Sequence, residues 1–192
     1  MVALLAGCSA ESTPTAPVAT APAQAPATRE AKVAETGLER MELGATTPIH
    51  QHGQYYLAGQ PAEADLAAWK DKGVRTVISL RTPGEIDWDE KAAVEALGMK
   101  FVSIPFRGAD TLGDTQIEAA LAALKEGGDN GVLLHCGTSN RVGAIWYAHR
   151  IRHDGLSAEA ALEEAKTIGL RNTALTDVVN AYCEANPDSL SK

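Results

Sequence analysis

The segment His135-Cys136-Gly137-Thr138-Ser139-Asn140-Arg141 holds the side chains best suited to chemistry in this chain. It follows the apolar run Val132-Leu133-Leu134, which reads as a buried strand, and it leads into a helical stretch from Val142 to His153. A cysteine at a strand end, facing a helix N-terminus, has its thiolate stabilised by the partial positive charge and free N–H groups there. An arginine at the start of that helix can return to the same concavity and grip a tetrahedral oxyanion through two parallel hydrogen bonds. The small residues between them let successive backbone N–H groups point inward as an anion nest. The result is a sulfur nucleophile on the floor of an oxyanion cup. Cleavage of a phosphate ester through a cysteinyl-phosphate is its natural use.

The segment resembles the signature of the cysteine-dependent protein tyrosine and dual-specificity phosphatases: His-Cys, five residues, Arg, then Ser or Thr. The resemblance extends through Gly59-Gln60-Pro61, the run Gly73-Val74-Arg75-Thr76-Val77-Ile78-Ser79-Leu80-Arg81, and Gly98 to Pro105. It is closest to a bacterial group that includes the phosphatase-like domain of beta-lactamase-hydrolase-like proteins. Carried over by position, it implies Cys136 as nucleophile and Arg141 as phosphate clamp. It further implies that His135 helps keep the thiolate ionised and that the backbone of Gly137, Thr138, Ser139 and Asn140 binds phosphate oxygens. No metal or organic cofactor is implied.

Two departures stand out. Four residues separate Cys136 from Arg141 where the signature has five, and Val142 replaces the usual hydroxyl residue. Thr138 or Ser139 could partly supply that hydroxyl. Rhodanese-type sulfurtransferases also carry a short loop after their cysteine, so persulfide chemistry at Cys136 is a second reading. A phospho-ligand binding domain without turnover is a third.

A phosphatase needs a general acid, because an unprotonated alkoxide leaves poorly. In the resembling family an aspartate on the loop after the preceding strand supplies it, and here that loop is Ile104 to Asp114. Asp110 is the expected acid and Asp114 the expected N-cap of the next helix. Arg107, in the same loop, could meet a second negative group on the substrate. His50 and His52 read as part of a polar loop rather than a metal site, since no further ligand stands at suitable spacing. Arg81 and Glu85 are expected to pair across the strand-to-helix turn, and Trp69 and Trp146 to be core. Trp88, among charges, is a candidate to line the cleft.

The elements that must position these residues follow a βα alternation. Strands are expected at Tyr55–Ala58, Val74–Leu80, Lys100–Ile104 and Gly131–His135. Helices are expected at 62–72, 90–97, from Thr115 (where Thr115 and Glu118 have capping-box spacing), 142–153, 157–168 and 175–184. This predicts an α/β fold: a mostly parallel sheet of four or five strands flanked by helices, with a helical C-terminal third. Ligands of such sheets bind beyond the carboxyl ends of the strands.

The whole sequence has 192 residues, enough for one domain with a tail, and 45% hydrophobic residues, enough for a core. With 17 basic and 25 acidic residues the net charge is −8, which argues against a nucleic-acid binder. Cys8, Cys136 and Cys183 lie too far apart to suggest a disulfide framework. Leu5-Ala6-Gly7-Cys8 resembles a bacterial lipobox, which implies lipidation of Cys8 and a cell-envelope location. Residues 1–7 then form a shortened signal-like segment. Residues 8–45 read as a disordered tether rich in Ala, Pro and Thr, 46–187 as the phosphatase-like domain, and 188–192 as a tail. The expected partner is a phosphorylated substrate.

Overall fold

The computed structural model describes residues 37–187. The signal-like segment, Cys8, most of the tether and residues 188–192 lie outside the described residues. Six strands form one sheet: β1 (Leu38–Arg40), β2 (Ile49–His52), β3 (Tyr55–Ala58), β4 (Thr76–Ser79), β5 (Lys100–Ser103) and β6 (Val132–His135). Their order is β1-β2-β3-β6-β4-β5. The first two pairings are antiparallel, while β3, β6, β4 and β5 run parallel to one another. The parallel strands are joined by helical crossovers, as parallel pairing requires.

Six α-helices cover the sheet: α1 (Leu66–Asp71), α2 (Glu90–Ala96), α3 (Asp114–Gly127), α4 (Asn140–Arg152), α5 (Ala158–Ile168) and α6 (Thr173–Ala185). Strand alternation divides the core in two. Leu57, Ile78, Val132 and Leu134 pack with α3 to α6 on one face, and Tyr56, Val77 and Leu133 pack with Leu66, Trp69 and Val94 of α1 and α2 on the other. Helix α4 is buried along most of its length, with Val142, Ile145 and Trp146 fully covered. That explains its mixed sequence: a helix enclosed by sheet and helices has no solvent face to mark with polar residues.

The α/β class and the parallel centre match the sequence reading, but the sheet is larger. β1 and β2 were not expected, and β1 joins the sheet from upstream of Thr46: Leu38–Arg40 pairs with His50–His52, and Leu43 is buried. His50 and His52 therefore sit on a strand rather than in a loop. At α3 the cap is Gly113, not Asp114, and the box is shifted from Thr115–Glu118. The Gly113 N–H donates to Gln116 Oε1 at 3.1 Å, the half of a capping box that needs no side chain on the capping residue. Among the described residues no helix is long and apolar enough to cross a membrane.

Candidate active site

Strand β6 delivers Cys136 to the carboxyl edge of the sheet, and α4 begins four residues later. The turn between them is narrow, and Ser139 takes the left-handed conformation, φ 62°. Such a φ is uncommon for a residue with a side chain, and it lets so short a loop reverse into the helix. Two neighbours hold the loop in place. The Gln60 N–H donates to the Gly137 carbonyl at 3.3 Å, and Asn140 Oδ1 accepts from the Arg171 and Asn172 N–H groups at 2.7 and 3.2 Å. Gly59 permits the first contact: a Cβ there would stand 2.1 Å from the Thr47 carbonyl oxygen.

Above the loop lies a cavity of about 280 Å³ lined by Glu85, Arg107, Cys136, Thr138, Asn140 and Arg141. Arg141 is the most constrained of these. Its Nη1 donates to the carbonyls of Leu80 and Phe106 and to Glu85 Oε1, each at 2.9 Å, and its Nη2 donates to Glu85 Oε2 at 2.7 Å. The remaining N–H groups, one on Nε and one on Nη2, are the pair available to an incoming oxyanion. Burial disfavours the guanidinium charge, but Glu85 and the adjacent Cys136 sulfur more than offset it and raise the arginine's pKa. Reciprocally, the Arg141 hydrogen bonds, aided by Thr82, push Glu85 down to about 2 against the penalty of its own burial. The ion pair is therefore intact throughout the neutral range.

Glu85 is the residue that sequence reasoning assigned to a different partner. It does approach Arg81, whose Nε lies 3.7 Å from Glu85 Oε2, and Arg81 also donates to the Glu85 carbonyl and to Gln60. Its carboxylate, however, is committed to Arg141. The signal that could have found it is the acidic residue in the loop after a parallel strand, where the buried Arg141 needs a counter-ion.

His135 is placed differently from expectation. Residues 132, 134 and 136 share the α3–α6 face, so His135 points to the α1–α2 face, fully buried and away from the cavity. Its Nε2 lies 3.2 Å from Glu90 Oε1, yet no hydrogen bond forms. Burial, reinforced by the positive charges of Arg81 and Arg141, pushes its pKa down to about 3. Opposing that shift, the imidazole has the backbone of Cys136 beside it. Its facing Glu90 is pushed up by burial, against hydrogen bonds that include Gln60 Nε2 at 2.9 Å.

The two candidate hydroxyls also separate. Thr138 lines the cavity, but Ser139 is buried against Gly169, and its Oγ has no partner. Val142 is core. Asp110 is exposed in the turn after Arg107 and does not line the cavity. Trp88 borders a neighbouring cavity with Arg81, Thr82 and Glu90 rather than the one over Cys136. Trp69 and Trp146 are core, as read. Among the described residues no group of three His, Cys, Asp or Glu is placed to hold a metal ion.

No protein-family model matches the chain, and no curated protein matches it. Solved structures do match. TpbA of P. aeruginosa is 22% identical with a TM-score of 0.62, over 77% of this chain and 91% of that one. Tk-PTP is 21% identical with a TM-score of 0.63, over 69% and 92%. PTPMT1 is 18% identical with a TM-score of 0.59, over 68% and 90%. TpbA has been solved in complex with pTyr, and PTPMT1 in complex with PI(5)P. The chain has the fold of the cysteine-dependent tyrosine and dual-specificity phosphatases.

Proposed function

We propose that the protein is a cysteine-dependent phosphatase that hydrolyses a phosphate monoester through a cysteinyl-phosphate. The observation that carries this reading is the seat of Arg141: a guanidinium fixed by Glu85 and two carbonyls beside the Cys136 thiol, with two N–H groups unspent. The phosphate ligands of TpbA and PTPMT1, on the same fold, support it. In the first step Cys136 Sγ attacks phosphorus and the P–O ester bond breaks. The leaving oxygen takes a proton, which we assign to Asp110 on the loop that carries Arg107. In the second step water attacks the cysteinyl-phosphate, gives its proton to the Asp110 carboxylate, and displaces the thiolate with release of orthophosphate. Arg141 and the N–H groups of the 137–140 loop stabilise the charge on the equatorial oxygens in both transition states.

Turnover of para-nitrophenyl phosphate without added metal, abolished by Cys136→Ser and inhibited by vanadate, is the test. A folded wild type with no turnover that instead takes up sulfur from thiosulfate would replace the reading with sulfur transfer. We further propose that the chain is held at the cell envelope by lipid on Cys8, on the strength of the Leu5-Ala6-Gly7-Cys8 sequence. Labelling with radioactive palmitate, lost in Cys8→Ser, tests that.

A further inference from the structure

We infer that the preferred substrate is a small, non-aromatic phosphate monoester that carries a second phosphate, which Arg107 and Arg171 hold at the rim of the cavity. The inference rests on the phosphatase reading and specifies its substrate class.

The chain as a whole is acidic, with a net charge of −8, but the surroundings of Cys136 are not. Among the described residues the only carboxylate lining the cavity is Glu85, and Arg141 is paired with it. Arg107 lines the same cavity, exposed, and its Nη2 donates to the Thr82 hydroxyl at 3.2 Å. Its loop is pinned, since the Arg107 and Gly108 N–H groups donate to Thr111 Oγ1 at 2.9 and 3.1 Å. Arg171 reaches the cavity through two of its lining residues, Asn140 and Thr138. Its backbone N–H is bound to Asn140, and its Nη2 donates to the hydroxyl of Thr138, a cavity residue, at 3.3 Å.

Neither arginine forms an ion pair among the described residues. Each spends one side-chain N–H on a neutral hydroxyl and keeps the rest of its fork free. A phosphate engaged by Arg141 and the loop amides leaves both rim cations unsatisfied. Two planar, always-charged forks suit the oxygens of a second phosphate better than a single carboxylate. The lining also excludes an alternative: it contains no aromatic residue, so a phosphoaryl ring would find no stacking partner.

The experiment compares kcat/KM for a series of diol bisphosphates, from ethane-1,2-diol to hexane-1,6-diol, with their matched monophosphates. Wild type, Arg107→Ala, Arg107→Lys, Arg171→Ala and the double alanine variant are measured at low salt. The expected result is one favoured chain length at which the bisphosphate is turned over about tenfold better, which two exposed charge pairs can supply together at low salt. Each alanine substitution should lower that ratio, the double variant should bring it near one, and lysine at 107 should restore part of it. A loss of fold or of general activity would lower both substrates together and leave the ratio unmoved. The inference is overturned if no spacing is favoured, if the advantage survives loss of both arginines, or if phosphotyrosine outperforms every bisphosphate. Turnover of para-nitrophenyl phosphate in the same preparations keeps the two readings apart. With it, a flat series sinks only the rim assignment. Without it, the phosphatase reading fails, and calorimetric binding of the bisphosphates to Cys136→Ser still decides whether the rim recognises paired anions.

Discussion

Helix α4 carries buried arginines at both ends, and Arg141 and Arg150 have contrasting surroundings. At the C-terminal end, Arg150 gives Nε and Nη2 to Glu164 at 2.8 and 3.0 Å and Nη1 to Asp154 at 2.7 Å. Glu164 also accepts from Trp146 Nε1 at 3.1 Å. Two N–H groups are left over, but the guanidinium is buried and packs over the Trp146 ring, 5.7 Å from its centroid. At the N-terminal end, Arg141 is held as firmly by Glu85 and two carbonyls, but it lines a cavity. Burial and an acidic partner are common to both. What separates the two is not how many donors are left over but where each guanidinium lies: Arg141 lines a cavity, whereas Arg150 packs over the Trp146 ring.

The comparison can be broken in several ways. Cys136→Ser should lower turnover by at least about 10⁴-fold while leaving the unfolding midpoint in place, because loss of an essential nucleophile removes the chemistry and not the packing. A residual rate above that, on enzyme free of wild type, would remove Cys136 from the mechanism. At the other end, Glu164→Ala strands a buried charge and should cost about 3–5 kcal/mol in urea unfolding. The folded fraction should keep its kcat/KM within about twofold, since the lost group touches no reacting atom. An equally large fall in kcat/KM would mean that the two ends of α4 are not independent.

Glu85→Gln keeps the shape of the Arg141 seat and removes its charge. A fall of about 10²–10³-fold in kcat/KM is expected, with a smaller stability loss than at Glu164 because the site is more open to water. Asp110→Asn should cost about 10²-fold on an alkyl phosphate, the low end for a general acid, and less on para-nitrophenyl phosphate, whose leaving group needs little help. An equal effect on both esters would assign the acid elsewhere.

The smallest effect concerns pH and the C-terminal end alone. His149, stacked on Trp146, is pushed from 6.5 down to about 4, first by burial and further by the charges of His153, Arg150 and His52, against the opposing pull of Asp154. Because its folded value is the lower one, the unfolded chain binds the proton first, and stability drains away as pH falls from 6.5 toward 4. His149→Phe should flatten that slope by roughly 1–2 kcal/mol, read from urea midpoints across the window. His135, pushed down to about 3, leaves a residual slope of the same sign.

Cys136 and Arg141 were legible as neighbours because they share one short loop whose strand and helix signals are local. Glu85 was not, because its partner is 56 residues away and a nearer one, Arg81, satisfies the spacing rule. Strands β1 and β2 escaped for another reason. Leu38-Glu39-Arg40 and Ile49-His50-Gln51-His52 are too short and too polar to show alternation, and they are strands because β3 offers an edge to pair with. The orientation of His135 follows from strand parity, which the sequence does contain, but only once Cys136 is known to face α4.

The bonds from Asn140 to Arg171 and Asn172 carry a consequence for the birth of the protein. Everything chemical is encoded by Arg141, yet the loop is latched by residues translated some thirty positions later. A nascent chain emerging from the ribosome therefore carries its cysteine before it carries the means to shape the loop around it, and the thiol meets its finished surroundings only as α5 and α6 arrive.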